Sequence, residues 1–128
     1  MFVEHDGRIL VLRESSDYKE GAHLGKFDIV GGRLKPGENF YDGTRREVME
    51  ETGLDVKLGK PFFINEWRPT VNGEKWQIIG IFLTGSADSD KVVLSVDHSA
   101  FKWIDPADYR KHSVIENLYP AFDAYLGL

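Results

Sequence analysis

Three carboxylates, Glu47, Glu50 and Glu51, stand at i, i+3 and i+4, so a helix projects all of them from one face. Stacked like charges weaken an isolated helix by a few tenths of a kcal/mol per pair, and the adjacent Arg45 and Arg46 offset part of that. Val48 and Phe40 mark the apolar face of the same helix, which places the acidic stripe at a core margin. Such a cluster suits a hard cation. Mg²⁺ takes oxygen ligands, keeps several waters, and shares its sphere with substrate phosphates. The preceding Gly31-Gly32 lets the backbone come close and aim a carbonyl at a bound ion, and Pro36-Gly37-Glu38 turns the chain back beside the stripe.

Those residues need a positioned helix, and the sequence predicts one from Asn39 to Thr52. Asn39 is its cap, Glu38 and Asp42 lie where the N-terminal dipole favours anions, and Gly53 supplies the left-handed stop. Gly43 inside it costs about 1 kcal/mol relative to Ala, which points to a close neighbour there. Around this helix, Phe2–His5 and Arg8–Arg13 flank Asp6-Gly7 as a hairpin, the first strand short enough to fray. A long polar loop is expected over Glu14–Lys26, then a short strand over Phe27–Val30. Further strands are expected at Leu54–Leu58, Phe62–Arg68 and Lys75–Thr84, the last two joined at Asn72-Gly73. An acidic loop at Gly85–Asp90 precedes strands at Lys91–Ser95 and Phe101–Ile104. Asp105-Pro106 opens a short helix to about His112. Ser113 and Glu116 have the spacing of a capping box for a last helix that Pro120 kinks or restarts. Without a regular βαβ rhythm, this order predicts an α/β fold with a mixed β-sheet flanked by helices.

The whole segment from Gly32 to Leu54 resembles the Nudix box, G-x5-E-x7-R-E-U-x-E-E-x-G-U with U a bulky aliphatic residue. Gly32, Glu38, Arg46, Glu47, Glu50, Glu51 and Gly53 match every fixed letter, and Val48 and Leu54 match both U positions. At average residue usage, seven fixed letters recur by chance on the order of once in 10⁸ positions. The flanks are similar too: Arg8–Arg13 resembles the apolar strand ending in a basic residue, and Phe101–Pro106 the late strand and closing helix. Val30 stands where the family often has Pro before the paired glycines.

The resemblance implies a Nudix-type α/β/α sandwich formed by residues 1–128 as a single domain. It implies a Mg²⁺-dependent pyrophosphohydrolase, with Mn²⁺ as a substitute, that cleaves a nucleoside diphosphate linked to another moiety. Glu47, Glu50 and Glu51 would be the metal ligands, helped by the Gly32 carbonyl. One of the three would take the proton of the attacking water, and the sequence leaves open which. Arg46 would orient a box carboxylate or screen the three acids, and Glu38 would fix the loop by hydrogen bonding. A late-loop ligand or base is expected among Asp88, Asp90 and Asp97, with Asp97 beside His98 the first choice. Trp67, Trp76 or Phe27 could stack a base, and Arg13 and Arg68 could touch phosphate. A small chain of this kind resembles the MutT-type enzymes, which convert a nucleoside triphosphate to a monophosphate and pyrophosphate. The alternatives are an ADP-ribose or nucleotide-sugar pyrophosphatase, for which Pro69 fifteen residues past Leu54 speaks, and a non-catalytic nucleotide-sensing domain.

Composition narrows the classes. The 128 residues contain no Cys, which excludes a disulfide framework, a thiolate nucleophile and the Cys-dependent isomerase chemistry known on the same fold. A net charge of −5 provides no basic field for nucleic acid, and it repels a polyphosphate unless cations neutralise the site. The longest apolar stretches, such as Ile78–Leu83 broken by Gly80, are too short to span a bilayer. The N-terminus does not read as a signal peptide. The expectation is a cytoplasmic monomer or homodimer acting on a small nucleotide.

Overall fold

In the computed structural model, which describes residues 1–15 and 25–128, Phe2 and Val3 lie at the centre of the molecule. They belong to β1 (Phe2–His5), which a tight turn with positive φ at Asp6 and Gly7 joins to β2 (Arg8–Glu14). Far from fraying, β1 is held on both edges, antiparallel to β2 and parallel to β7 (Ile78–Ala87). β3 (Phe27–Ile29) and β8 (His98–Ile104) both run antiparallel to β2, and β4 (Val56–Trp67) runs antiparallel to β7. The sheet is therefore mixed, with the order β3, β2, β1, β7, β4, and β8 beside β2. β8 pairs along β2 from Ile9 to Glu14, while β1 takes residues 8–9 of β2 and β3 takes 11–13. A separate hairpin, β5 (Thr70–Val71) and β6 (Glu74–Lys75), turns at Asn72-Gly73.

The unbroken apolar run Ile9–Leu12 follows from burial on both sheet faces. Ile9 and Val11 join Phe2, Phe82 and Phe122 on the side covered by α2 (Tyr119–Leu126). Leu10 and Leu12 join Val3, Leu83 and Val48 on the side covered by α1 (Phe40–Thr52). This is the expected three-layer sandwich, with α1 on one face of the sheet and α2 on the other.

Four local expectations are corrected. The strands expected at Leu54–Leu58 and Phe62–Arg68 are one, because β4 passes Gly59-Lys60-Pro61 by register shifts rather than by ending. β7 starts at Ile78 and runs on to Ala87, where Val56 pairs with it, so the acidic loop is shorter than Gly85–Asp90. Lys91–Ser95 is not a strand: the amides of Val93 and Ser95 donate to the carbonyls of Thr52 and Glu51, capping the end of α1 instead of joining a ladder. Ser113 is not a cap either. It sits at φ 55, and its carbonyl accepts the Phe27 amide, leaving the short 3-10 turn Glu116–Leu118 without a side-chain cap. Pro120 then lies in the first turn of α2, where its missing N–H costs nothing. The Asp105-Pro106 signal does open a helical segment, a 3-10 one over Pro106–Lys111 capped by Asp105. Most of the loop expected at Glu14–Lys26 lies outside the described residues.

Candidate active site

α1 carries the acidic residues, and both its ends are fixed as its sequence dictates. Asn39 Oδ1 accepts the amides of Tyr41 and Asp42 at 3.0 and 3.2 Å, and Gly53, at φ 70, returns its N–H to the Met49 carbonyl. Val48, 1% exposed, anchors the helix to the sheet, so the next residues on either side lie along the margin of the core. Gly43 is buried because a Cβ there would come within 2.6 Å of Glu38 Oε1 and 2.7 Å of Leu34 Cδ2. The turn Gly31–Glu38 thus folds against the helix.

Arg46 is the hub of this contact. Its Nε donates to Glu38 Oε2 at 2.8 Å and its Nη2 to Glu38 Oε1 at 3.1 Å, a two-pronged pairing. Nη1 donates to Glu50 Oε2 at 3.0 Å, and Nη2 also reaches Glu47 Oε1 at 3.1 Å. Glu38 accepts in addition the Lys35 amide at 3.0 Å. The Arg46 bonds, then that amide, hold the Glu38 carboxyl down at about 2, while Glu38 first and Glu50 next push the Arg46 guanidinium up. One cation therefore ties the loop to the helix and partly neutralises two of the three carboxylates.

Glu51 points the other way. Its Oε2 accepts the Gly31 amide at 3.3 Å, and burial raises its carboxyl to about 8, against that hydrogen bond and with help from the negative charges of Glu47 and Asp28. Gly32 stands over Glu47, where a Cβ would fall 2.3 Å from its carboxyl carbon. Nothing lies within 4 Å of a Cβ at Gly31, so of the paired glycines only Gly32 is required by close approach.

These groups open onto a cleft of about 720 Å³ between α1, the Gly31–Leu34 turn, β7 and the segments around Asp97 and Ile115. Of the residues singled out in the sequence, Gly32, Glu47, Glu51, Asp97 and Trp67 line it. Glu50, with its side chain 56% exposed, sits beside it on Arg46, and Glu38 and Gly53 hold the loop and the helix end. Arg13, Phe27 and Arg68 do not line it. Phe27 is buried in the core on the α2 side, Arg13 lies over its ring at 5.9 Å, and Arg68 pairs with Glu66 at 3.4 Å. Asp88 and Asp90 are also off the cleft, and the Asp90 carbonyl accepts the Trp103 indole N–H.

Sequence reasoning missed Glu14, Arg33 and Asn117, which line the cleft as well. Arg33 had a signal in its place beside Gly32, and it lies over the Trp76 ring at 5.3 Å. Glu14 and Asn117 had none, since only the folded chain brings them there. Burial lowers the nearby His98 imidazole, against the opposing charges of Asp97 and Glu14. Five carboxylates, from Glu14, Asp28, Glu47, Glu51 and Asp97, face the cleft, and among the described residues Arg33 is the one Arg or Lys on its wall.

The sequence pattern of the NUDIX domain matches residues 1–124. The chain belongs to the Nudix hydrolase family. It is 26% identical to the nucleoside triphosphatase NudI of Escherichia fergusonii over 122 residues, covering 88% of this chain and 83% of that one. It is 22% identical to the CTP pyrophosphohydrolase of Escherichia coli over 126 residues, covering 98% and 87%. The crystal structure of the MutT protein from Methanosarcina mazei superposes with a TM-score of 0.77 at 25% identity, covering 99% of this chain and 91% of that one. This Nudix protein is accordingly an enzyme of the hydrolase class, built on the fold expected from its box. Among the described residues no helix is long and apolar enough to cross a membrane.

Proposed function

We propose that the chain is a Mg²⁺-dependent pyrophosphohydrolase that converts a nucleoside triphosphate and water to a nucleoside monophosphate and pyrophosphate. The carrying observation is the make-up of the cleft wall: five acidic residues against one arginine. A polyphosphate enters such a space only together with cations.

The donor set fits a hard divalent ion, since it offers only carboxylate and carbonyl oxygens. Glu47, Glu51 and the Gly32 carbonyl would hold it, and Glu50 would join once released from Arg46. Among the described residues no three acidic or histidine side chains are yet gathered around one point, because Arg46 holds Glu47 and Glu50 while Gly31 holds Glu51. Mg²⁺ needs only one or two carboxylates when phosphates and waters complete its shell. The chemistry a bound divalent cation supplies is neutralisation of the phosphates and a more acidic water.

This chain's own groups do the rest. Glu51 holds a proton below about pH 8 and gives it up when positive charge arrives. A carboxylate of Glu47, Glu50 or Glu51 takes the proton of the water that attacks phosphorus. Arg46, kept by Glu38, sets where Glu47 and Glu50 stand before the ion arrives. Arg33 meets the phosphates, and Trp67 offers an aromatic wall to the nucleoside.

A panel of nucleoside triphosphates, ADP-ribose, nucleotide sugars and dinucleoside polyphosphates tests this reading. Turnover is expected with Mg²⁺ or Mn²⁺, none with excess EDTA, and a kcat/KM for some nucleoside triphosphate about tenfold or more above every other class. A higher value for ADP-ribose would reassign the substrate, and tight binding without product would make the domain a sensor.

A further inference from the structure

Among the described residues, two buried polar side-chain atoms on the cleft wall have no hydrogen-bond partner. Glu14 Oε2 and His98 Nδ1 are both buried and make no hydrogen bond, although both residues line the cleft. They are direct neighbours across strands, since Glu14 of β2 and His98 of β8 are register partners at the point where the β2–β8 ladder shifts. A register shift re-aims side chains, and this one falls at a carboxylate and an imidazole whose residues both line the cleft. Leaving buried polar atoms unpaired is costly, so an orphaned pair in a substrate cleft marks a position that a ligand completes.

The chemistry of the pair restricts that ligand. An ionised carboxylate accepts hydrogen bonds and cannot donate them, so the group that meets Glu14 must be a donor. The adjacent imidazole nitrogen donates or accepts according to its tautomer. Asp97 and Asp28 line the same cleft, so this wall repels phosphate and takes an uncharged part of the substrate. An exocyclic amino group beside a ring nitrogen meets both demands, while a base carbonyl in the same place would face the carboxylate oxygen.

We infer that Glu14 and His98 together read the nucleobase of the substrate and select a base carrying an amino group over its keto counterpart. This rests on the proposed reading of the cleft as a nucleotide site. It adds two specificity-determining residues, which lie 84 positions apart in the chain and outside the Nudix box.

The test is equilibrium binding of nucleoside monophosphates in EDTA, by calorimetry, which requires neither metal nor turnover. The pairs are CMP with UMP, AMP with IMP, and GMP with XMP. The wild type is expected to bind the amino-bearing member of at least one pair about tenfold more tightly. Glu14→Gln keeps the shape of the side chain but presents an amide, and it is expected to bring that ratio close to one. His98→Ala is expected to weaken binding of the preferred base while affinity for its keto counterpart changes less. Unaltered melting temperatures would show that both variants fold. Equal binding within every pair, or a ratio that survives Glu14→Gln, would overturn the inference even if triphosphate hydrolysis proceeds. Absence of nucleotide binding and of turnover together would overturn the reading beneath it.

Discussion

Glu51→Gln is expected to reduce Mg²⁺-dependent turnover by about 10²–10⁴-fold, the loss that follows when several kcal/mol of charge stabilisation is removed. Glu50→Gln should lower it by orders of magnitude as well. The amide introduced by Glu51→Gln keeps an oxygen for the Gly31 N–H, so the turn stays in place and the deficit belongs to the missing charge. A pH series gives an independent check on the fold. Glu51 carries its proton up to about pH 8 in the metal-free native state, whereas in the unfolded chain it ionises near 4.5. The native state thus binds more protons between those values, and the stability this confers is complete below about 4.5 and disappears as pH rises through about 8. Thermal unfolding in EDTA should show the wild type losing stability toward alkaline pH more steeply than Glu51→Gln. Full activity in both the Glu50 and Glu51 variants would move the chemistry elsewhere.

The second large effect is expected from a single methyl group. Gly32→Ala places a Cβ 2.3 Å from the Glu47 carboxyl carbon, a distance no real contact tolerates. The clashing atom is the end of a flexible side chain, so the fold yields cheaply by displacing that carboxylate. Glu47 is bound to Arg46 and lines the cleft, so its displacement disturbs both the clamp and the proposed ion site. Misplacing a reactive group by about 1 Å costs on the order of 10²-fold in rate. Steady-state kinetics should therefore show kcat/KM falling by about that factor with a melting temperature close to wild type. Gly31→Ala, with open space around its Cβ and a retained N–H, is the control and should stay within about twofold of wild type. If the two substitutions behave alike, the close approach at Gly32 has no functional meaning.

The parts of this structure legible in the sequence are those fixed by neighbours along the chain. The boundaries of α1 follow from Asn39 and Gly53, and the tight turns follow from Asp6-Gly7 and Asn72-Gly73. The split of Ile9–Leu12 between two cores follows from the two-residue strand period once both faces are known to be covered. Errors arose where a distant partner decides. Lys91–Ser95 has strand composition, yet the free carbonyls at the end of α1 claim its amides. Ser113 has the spacing of a cap, yet Phe27 takes its carbonyl. Phe27 is an aromatic residue before the glycine turn, but β3 directs it into the core and away from the cleft. The Nudix box announced its acids and left unstated that Arg46 holds Glu47 and Glu50 while Gly31 holds Glu51. That division is a matter of side-chain geometry, which no letter pattern encodes.

The central claim is that Glu47, Glu51 and the Gly32 carbonyl close around a divalent cation. Crystals grown with Mg²⁺ and a non-hydrolysable triphosphate analogue address it directly, with Mn²⁺ as the anomalous scatterer. The expected result is one ion within about 2.0–2.1 Å of those oxygens for Mg²⁺, bridged to the phosphates, with Arg46 still paired to Glu38. A nucleotide seated in the cleft while Glu47 remains on Arg46, Glu51 remains on the Gly31 amide and no ion lies between them would contradict it.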